Sequence, residues 1–419
     1  MGWATSPGLP VKLFPPWQTF PRFRPPFVTV RPQCMNTRAE LEEIAHTGGK
    51  ITFDIKVDGE GRTSMSLQWT HSRPTAASVF GVYALPQGIA VGEYDLGGLG
   101  ASTKAPPIPD CFPVLISSDS TGMFGHECPT CGGYWRDRHG GTLCPYCAFK
   151  AEERYQLFTD AQRRYIHEYC GLLGNALGSG KSGQYVIDMD AVADAARKNC
   201  KKPPFYYAEE RQQNLFHCTA CGEPNDVLGT YAYCGGCGTR NDLQEFEKTI
   251  AALRARANSE GPYEACVKDA VAAFDSFAGQ YAKQLIARVP LTPARRVRLE
   301  RAHFHDLGRA SELFNNIFDI NILDNIDPDD LDFIKRMFHR RHVYEHNGGE
   351  ADAKYIADSG DNVRVKQALR ETKESAHRTA TLVLKVGASL HNGFHSIFPP
   401  LDGPIRRYES IVKRQRTGV

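Results

Sequence analysis

A repeated pattern of cysteines constrains this chain more than any other feature. Two residues separate the members of each Cys-x-x-Cys pair, and twelve residues separate the first pair from the second in each of two sets. The eight residues are Cys128, Cys131, Cys144, Cys147, Cys218, Cys221, Cys234 and Cys237. Four thiolates at these spacings are typical of a tetrahedral Zn²⁺ site, in which two tight turns joined by a short hairpin direct their sulfur atoms to one ion.

The two sets, over 121–150 and 215–242, resemble the zinc-ribbon family, and the ninety-residue offset from Cys128 to Cys218 suggests a duplicated module. Four thiolate ligands leave no coordination position open, so we expect two structural Zn²⁺ ions and no catalytic metal. Redox-active cysteine pairs are the alternative. A redox site needs only one such pair beside a helix, whereas here four pairs fall into two matched sets.

The inserts within the two ribbons differ in composition. The first contains aromatic and basic residues, namely Tyr134, Trp135, Arg136 and Arg138. Such side chains on a hairpin are a candidate contact for nucleic acid. The second insert contains Glu223 and Asp226, which favours a plain folding role.

Length and composition bound the class of protein. A chain of 419 residues predicts two to four domains, since domains usually run ~100–200 residues. An apolar fraction of 41%, a charged fraction of 23% and a net charge of +2 argue against disorder and against an extended nucleic-acid-coating surface. No segment approaches the ~18 consecutive apolar residues of a membrane span, so no membrane partner is expected.

The thirteen cysteines indicate a reducing compartment, because eight of them form metal-type pairs in a chain far larger than a disulfide scaffold. The Pro-rich segment 1–37 lacks the apolar stretch of a signal peptide, and we expect a flexible extension of a cytoplasmic protein. Met35 is an alternative start to Met1.

The predicted fold is a multidomain α+β chain: an N-terminal β-rich domain, two zinc ribbons and a C-terminal all-α four-helix bundle. Alternating apolar residues predict a β-hairpin around a turn at 58–61 and a β-rich domain over 38–120. A 3.6-residue period predicts four long helices in the helical domain over 261–398. The first of them carries the apolar stripe Val267, Val271, Phe274, Ala278, Tyr281 and Leu285, and the second carries Phe304, Leu307, Phe314 and Phe318. The remaining segments are expected to be a helical connector (151–214), a linker helix (243–260) and a basic tail (399–419).

The most informative helical segment is 331–346. Arg341 and His342 lie beside an apolar stripe that includes Phe338, and His346 directly precedes the helix stop Asn347-Gly348-Gly349. On a regular helix the five-residue step from Arg341 to His346 rotates by ~140°. The two side chains therefore converge only if the helix ends there or if a second copy contributes.

This segment resembles the HEPN family, a group of all-helical domains that includes many ribonucleases of toxin–antitoxin and antiviral systems. Arg341, His342 and His346 match the family signature, and the resemblance covers roughly 261–398. It implies a homodimer through the helical domain whose Arg and His residues line one cleft. His346 would act as base or acid, Arg341 would bind the phosphate and His342 would orient either.

The resemblance also implies an RNA substrate and, in a defence role, an antitoxin or a trigger protein as partner. Metal-independent RNA cleavage needs a base of near-neutral pKa and a cation for the phosphorane, which His and Arg supply. Lys335, Arg336 and Arg340 are expected to attract the RNA backbone.

Two other interpretations remain open. His342, Glu345 and His346 match the His-x-x-Glu-His pattern of inverted zinc metalloproteases, in which Glu345 would be the base. Alternatively, the helical domain is a non-catalytic nucleic-acid-binding or dimerisation module, and Arg341 pairs with a buried carboxylate.

Overall fold

The computed structural model describes residues 41–43, 49–60, 63–71, 79–94, 106–118, 122–138, 141–179, 181–196, 207–209, 213–259 and 261–417. The predicted extension over 1–37 lies outside these residues. Within them, the strands are β1 (Leu41–Glu43), β2 (Gly49–Val57), β3 (Thr63–His71), β4 (Val79–Ala84), β5 (Ala90–Tyr94), β6 (Phe112–Ser117), β7 (Phe124–Glu127), β8 (Tyr134–Asp137), β9 (Gly183–Asp188), β10 (Tyr207–Glu209), β11 (Gln213–His217) and β12 (Pro224–Leu228).

The helices of the described chain are α1 (Asp160–Gly178), α2 (Met189–Ala196), α3 (Asp242–Asn258), α4 (Tyr263–Arg288), α5 (Pro293–Glu300), α6 (Leu307–Phe318), α7 (Pro328–His346), α8 (Ala353–Ser359), α9 (Lys373–Ile397) and α10 (Asp402–Thr417). A 3-10 helix spans Arg154–Leu157. None of the described helices combines the length and the apolar character that a membrane crossing requires. The architecture is thus mixed α and β, with small antiparallel sheets ahead of a helical C-terminal region.

The N-terminal unit contains two three-stranded antiparallel sheets, ordered β3-β2-β9 and β5-β4-β6, which share one core. In β2, Ile51, Phe53 and Ile55 are buried, whereas Asp54 and Lys56 between and after them are exposed. This alternation is the one that the sequence predicts, because successive side chains of a strand point to opposite faces.

Three elements of the segment 151–214, interpreted from sequence as a helical connector, belong to this N-terminal unit: α1, β9 and α2. β9 pairs with β2 from Ile55↔Gly183 to Lys50↔Asp188. In α1, Tyr169 and Leu173 are fully buried in the same core as Phe53. The local pattern indicates helices correctly, but a strand pairing across more than a hundred residues leaves no local signal.

The two zinc ribbons form one sheet rather than separate modules. β8 of the first pairs antiparallel with β12 of the second, giving the order β11-β12-β8-β7. Across this pairing, Nε of Arg136 donates to Oδ2 of Asp226 over 2.8 Å, and both side chains are buried. The Tyr146 hydroxyl accepts from the N–H of Leu228 at 2.9 Å, which adds a second link.

The C-terminal region has a single core built mainly from the long helices α3, α4, α7 and α9. The stripe predicted on α4 is buried in full: Val267, Val271, Phe274, Ala278, Tyr281 and Leu285. α4 packs against α3, α7 and α9, so it is the central helix of this region.

Two details of the predicted bundle differ from the structure. Residues 243–258 of the expected linker helix belong to α3, which packs into the core: its Phe246 stacks on Phe277 of α4 with ring centroids 4.6 Å apart. α6, predicted as one of four long helices, has only 12 residues, and α3 takes the fourth long position. The basic tail over 399–419 contains α10.

We predict that Asp226→Ala lowers the free energy of unfolding by about 3–5 kcal/mol, because the buried Arg136 guanidinium loses its carboxylate. Urea denaturation followed by tryptophan fluorescence measures this change. The matched control is the double variant Arg136→Met/Asp226→Leu, which removes both charges and should cost less than the single substitution. A single variant as stable as the wild type would contradict the assignment.

Candidate functional site

All four Cys-x-x-Cys turns share one backbone geometry. The residue after the second cysteine of each pair has a positive φ, and its N–H donates to the carbonyl of the first cysteine. These residues are Gly132 (φ 69°), Ala148 (φ 58°), Gly222 (φ 74°) and Gly238 (φ 82°). Glycine adopts this conformation without a Cβ clash, which explains three of the four positions.

The sulfur atoms are arranged for a metal ion. In each set the four Sγ atoms lie within 4.8 Å of one another, and the described chain contains no other group of three or more such ligands. The distances Cys128–Cys147 and Cys131–Cys144 are 3.6 and 3.7 Å, and those for Cys218–Cys237 and Cys221–Cys234 are 3.7 and 3.5 Å.

A tetrahedron with Zn–S bonds of about 2.3 Å has S–S edges of roughly 3.8 Å, whereas a disulfide bond is about 2.05 Å long. The observed distances therefore fit two Cys₄ sites, each able to bind one structural Zn²⁺. Side-chain and backbone N–H groups support the thiolates: Nδ2 of Asn225 lies 3.5 Å from Sγ of Cys234, and the N–H of Tyr146 lies 3.4 Å from Sγ of Cys144.

Two of the four residues predicted to contact nucleic acid on the first hairpin are buried. Trp135 is 1% exposed, and its Nε1 donates to Asp137 at 3.3 Å. Arg136 is 8% exposed and pairs with Asp226. These side chains bind the two ribbons together, and Arg138 is the exposed cation of this hairpin.

The second zinc site packs against the helical region. Ile405 of α10 contacts the cluster of Cys218, Cys234 and Cys237, and the Leu401 N–H donates to the Cys237 carbonyl at 2.7 Å. A Cβ on Gly222 would lie 2.4 Å from the Tyr408 ring, so this turn and α10 are in close contact. Ordering of this site is therefore coupled to the position of α10.

On α7, the two adjacent arginines have different environments. Arg340 donates through Nη2 to Asp361 at 2.7 Å and through Nη1 to Glu371 at 2.9 Å, and its Nε lies 3.2 Å from the Tyr355 hydroxyl. Burial would lower the pKa of Arg340, but its bonds to Glu371 and Asp361 raise it overall. Arg340 thus anchors α7 to the segments that flank α8, and its guanidinium is engaged by these groups rather than directed to solvent.

Arg341 has no comparable partner. Its side chain is half-buried, and Nε is shielded from solvent with no hydrogen-bond partner among the described residues. Buried donors are nearly always paired, so an unpaired one in a native fold calls for an explanation, such as a ligand or a partner.

His342 and His346 are exposed neighbours on α7. Their ring centroids are 4.7 Å apart with an interplanar angle of 52°. Burial, His346, Lys354 and Arg341 lower the pKa of His342, against the opposing effect of Asp352. α7 runs unbroken to His346, so the ~140° step from Arg341 is that of a regular helix, and the chain by itself does not aim both groups at one point.

The three predicted RNA-binding residues, Lys335, Arg336 and Arg340, have different surroundings in the structure. Lys335 is exposed and lines a cavity of about 670 Å³ beside α7, together with His339 and His342. Arg336 lies 3.8 Å from Asp361 and belongs with Arg340.

Sequence reasoning missed the opposite wall of this cavity. That wall comes from the end of α5 and the start of α6, and it includes Arg301, His303 and His305. A signal was present, because the segment 295–305 contains four arginines and two histidines among eleven residues.

The His-x-x-Glu-His pattern does not form a metal site in the described chain. The carboxylate of Glu345 lies 3.6 Å from Nζ of Lys268 on α4, away from the paired imidazoles. The possible ligand atoms of His342, Glu345 and His346 do not all lie within 4.8 Å of one another.

Comparison with known proteins adds no relative. No protein-family model, no curated protein and no solved structure matches this chain. The functional assignment therefore depends on the geometry of the site itself.

We predict that Cys131→Ser and Cys234→Ser each reduce bound zinc from two ions per chain to one, as measured by elemental analysis. Only Cys234→Ser should expose α10, because the second site alone contacts that helix. Hydrogen exchange of the α10 amides distinguishes the variants. Equal protection of α10 in both would contradict the coupling.

The pKa of Asp361 gives a pH-dependent prediction. Burial would raise this pKa, but the Tyr355 hydroxyl and the guanidinium groups of Arg340 and Arg336 lower it overall. The carboxylate therefore contributes stability above its unfolded pKa of about 3.9, and that contribution is lost as pH falls through the lower folded value.

Asp361→Asn should accordingly cost about 1–3 kcal/mol at pH 7, since it weakens charged hydrogen bonds to Arg340. The difference from the wild type should begin to shrink below about pH 4, where the unfolded wild-type carboxyl takes up a proton, and it should vanish only below the lower folded pKa. Urea denaturation at pH 7 and pH 3 measures both values. The control is Asp358→Asn on exposed α8, which should cost little at either pH.

Proposed function

We propose that this protein is a metal-independent endoribonuclease of HEPN type that acts as a homodimer. The observation that carries the proposal is at the end of α7, where the exposed His342–His346 pair lies beside Arg341, whose buried Nε is unpartnered. The alternative of a purely structural Arg341 paired with a buried carboxylate is less favoured, because Arg340 fills that role.

The chemistry of these groups suits RNA cleavage by internal attack. One imidazole removes the proton of the ribose 2′-hydroxyl, whose oxygen forms a bond to the adjacent phosphorus. The second imidazole donates a proton to the 5′-oxygen as its bond to phosphorus breaks. The products are a 2′,3′-cyclic phosphate and a 5′-hydroxyl, and neither a metal nor a redox partner is needed.

His342 is suited to the base in this division of work. Its lowered pKa favours the neutral form at pH 7, which accepts a proton. His346 would then be the acid, although the pair exchanges roles in the reverse reaction. Arg341 would neutralise the charge on the phosphorane with its planar guanidinium.

A second copy of the chain completes the site in this proposal. Arg341 and His346 diverge by ~140° around α7, so one helix does not bring them to the same phosphate. Two α7 ends related by a two-fold axis would place Arg341 of one copy near the imidazole pair of the other. This isologous arrangement is the commonest form of dimer.

The HEPN resemblance places such an enzyme in a toxin–antitoxin or antiviral role. In that setting the N-terminal unit and the joined zinc ribbons would recognise a trigger, an antitoxin or the RNA. The metalloprotease alternative is disfavoured by the ion pair of Glu345 with Lys268.

The test is cleavage of total RNA and tRNA by the purified protein in buffer without divalent ions. Arg341→Ala and His346→Ala should each reduce the rate by at least about 100-fold, since acid–base and phosphate-stabilising groups contribute about 10²–10⁴. The zinc content, the circular dichroism spectrum and the dimer should be unchanged.

Glu345→Gln is the matched control, because it alters the same exposed end of α7 without touching the proposed chemistry. It should leave cleavage unaltered, whereas a metalloprotease base would be lost. Full cleavage by Arg341→Ala or His346→Ala would falsify the proposal, as would a dimer that leaves RNA intact in the presence of its trigger.

A further inference from the structure

The cavity beside α7 lies next to the proposed reaction site. It has a volume of about 670 Å³ and is bounded by the α5–α6 connection on one side and by α7 and α8 on the other. We call it the α5–α7 groove. His342 forms part of its wall, so the groove begins where the imidazole pair is exposed.

The groove contains more available cations than anions. Three of its four carboxylates are engaged: Asp306 and Asp352 accept backbone N–H groups at the starts of α6 and α8, and Glu312 lies 3.6 Å from Arg298. Only Asp358 remains. Five cations line the groove against these four carboxylates, which gives it a formal charge of +1 with neutral histidines; the cations are Arg298, Arg301, Arg309, Lys335 and Lys354.

Three cations of the groove are available to a ligand. Arg301, Lys335 and Lys354 are exposed, and no residue of the described chain forms an ion pair with them. They come from both walls of the groove, Arg301 from the end of α5 and the two lysines from α7 and α8. A ligand between the walls would therefore meet positive charge from two sides.

The groove also presents flat aromatic surfaces. The rings of His303 and His305 lie 5.5 Å apart with an interplanar angle of 34°, and His339 and His342 face them from α7. Imidazole rings stack on the unpaired bases of single-stranded RNA, while lysine and arginine contact its phosphates. The volume is within the ~300–1,000 Å³ typical of pockets for small ligands, which suits a short single-stranded segment and not a duplex.

We propose that the α5–α7 groove binds the single-stranded RNA nucleotides that flank the bond cleaved at the His342–His346 pair. The phosphates contact Arg301, Lys335 and Lys354, and the bases stack on the histidines. The assignment of these nucleotides as neighbours of the cleaved bond rests on the proposed function. The binding itself does not require that the protein cleaves RNA.

The experiment measures binding of a fluorescein-labelled single-stranded RNA decamer to full-length, zinc-loaded protein carrying His346→Ala, which prevents turnover. Fluorescence anisotropy at several salt concentrations compares two double variants in that background. Arg301→Ala/Lys335→Ala removes one cation from each wall of the groove. Arg295→Ala/Lys373→Ala removes two exposed cations outside it and is the matched control.

The groove variant should bind at least about tenfold more weakly than the control, since each lost charged contact is worth about one factor of ten. The slope of log K against log salt should fall by about 1.4, or about 0.7 for each lost phosphate contact. The same sequence as a duplex should bind more weakly than the single strand.

Equal binding by the groove and control variants would overturn the inference, and so would equal affinity for the duplex or competition by inorganic phosphate alone at equal concentration. The proposed function is tested separately by wild-type cleavage. If binding depends on the groove but no RNA is cleaved, the proposed binding groove stands and the proposed ribonuclease function is wrong. If RNA is cleaved but binding does not depend on the groove, the ribonuclease function stands and the proposed groove is wrong.

Discussion

The antiparallel pairing of β8 with β12 is the interaction on which the arrangement of this chain depends. The first ribbon is tied to the N-terminal unit, because Gln162 at the start of α1 donates to the Gly125 carbonyl at 2.9 Å. The second ribbon continues directly into α3, and the Tyr233 hydroxyl donates to Gln284 of α4 at 3.0 Å. Each ribbon thus belongs to a different half of the protein, and their shared sheet joins the halves. The two Cys₄ clusters lie at the turns of these hairpins, where a bound ion would fix the shape that this pairing needs.

Local structural features could be predicted wherever the residues that form them repeat at a short sequence spacing. The Cys₄ sets, the β2–β3 hairpin and the buried stripe of α4 follow from spacing alone, because a turn, a strand and a helix each impose their own repeat. Long-range pairings were not readable. β9 pairs with β2, and β8 pairs with β12, through residues about ninety or more positions apart. α3 belongs to the bundle because Phe246 packs against Phe277, and no local pattern predicts that contact. The sequence showed Trp135 and Arg136 as available side chains, and only the packing of the second ribbon reveals that they are buried.

In the candidate site, too, the sequence could not predict which contacts two residues within one helical turn would make. Arg340 and Arg341 are adjacent and chemically identical, yet a rotation of ~100° between them gives one a pair of carboxylates and leaves the other with an unpaired donor. The sequence placed Arg341 beside the apolar stripe and predicted that Arg340 attracts the RNA backbone, and it could not tell which one would be anchored. The answer depends on Asp361 and Glu371, which reach α7 from segments beyond it. The proximity of the two imidazoles, by contrast, was implied by the four-residue spacing of His342 and His346, although the exposure of His342 was not.

The buried Arg136–Asp226 contact has a consequence for assembly. The two residues occupy equivalent positions in the duplicated ribbons, ninety residues apart like Cys128 and Cys218, and they face each other directly in the β8–β12 register. A local two-fold axis therefore passes between them. If a ribbon instead paired in this way with the same ribbon of another molecule, arginine would face arginine or aspartate would face aspartate, without solvent to screen the repulsion. The opposite charges at this one position make each ribbon complementary to the other and incompatible with its own copy, so they favour the intramolecular pair.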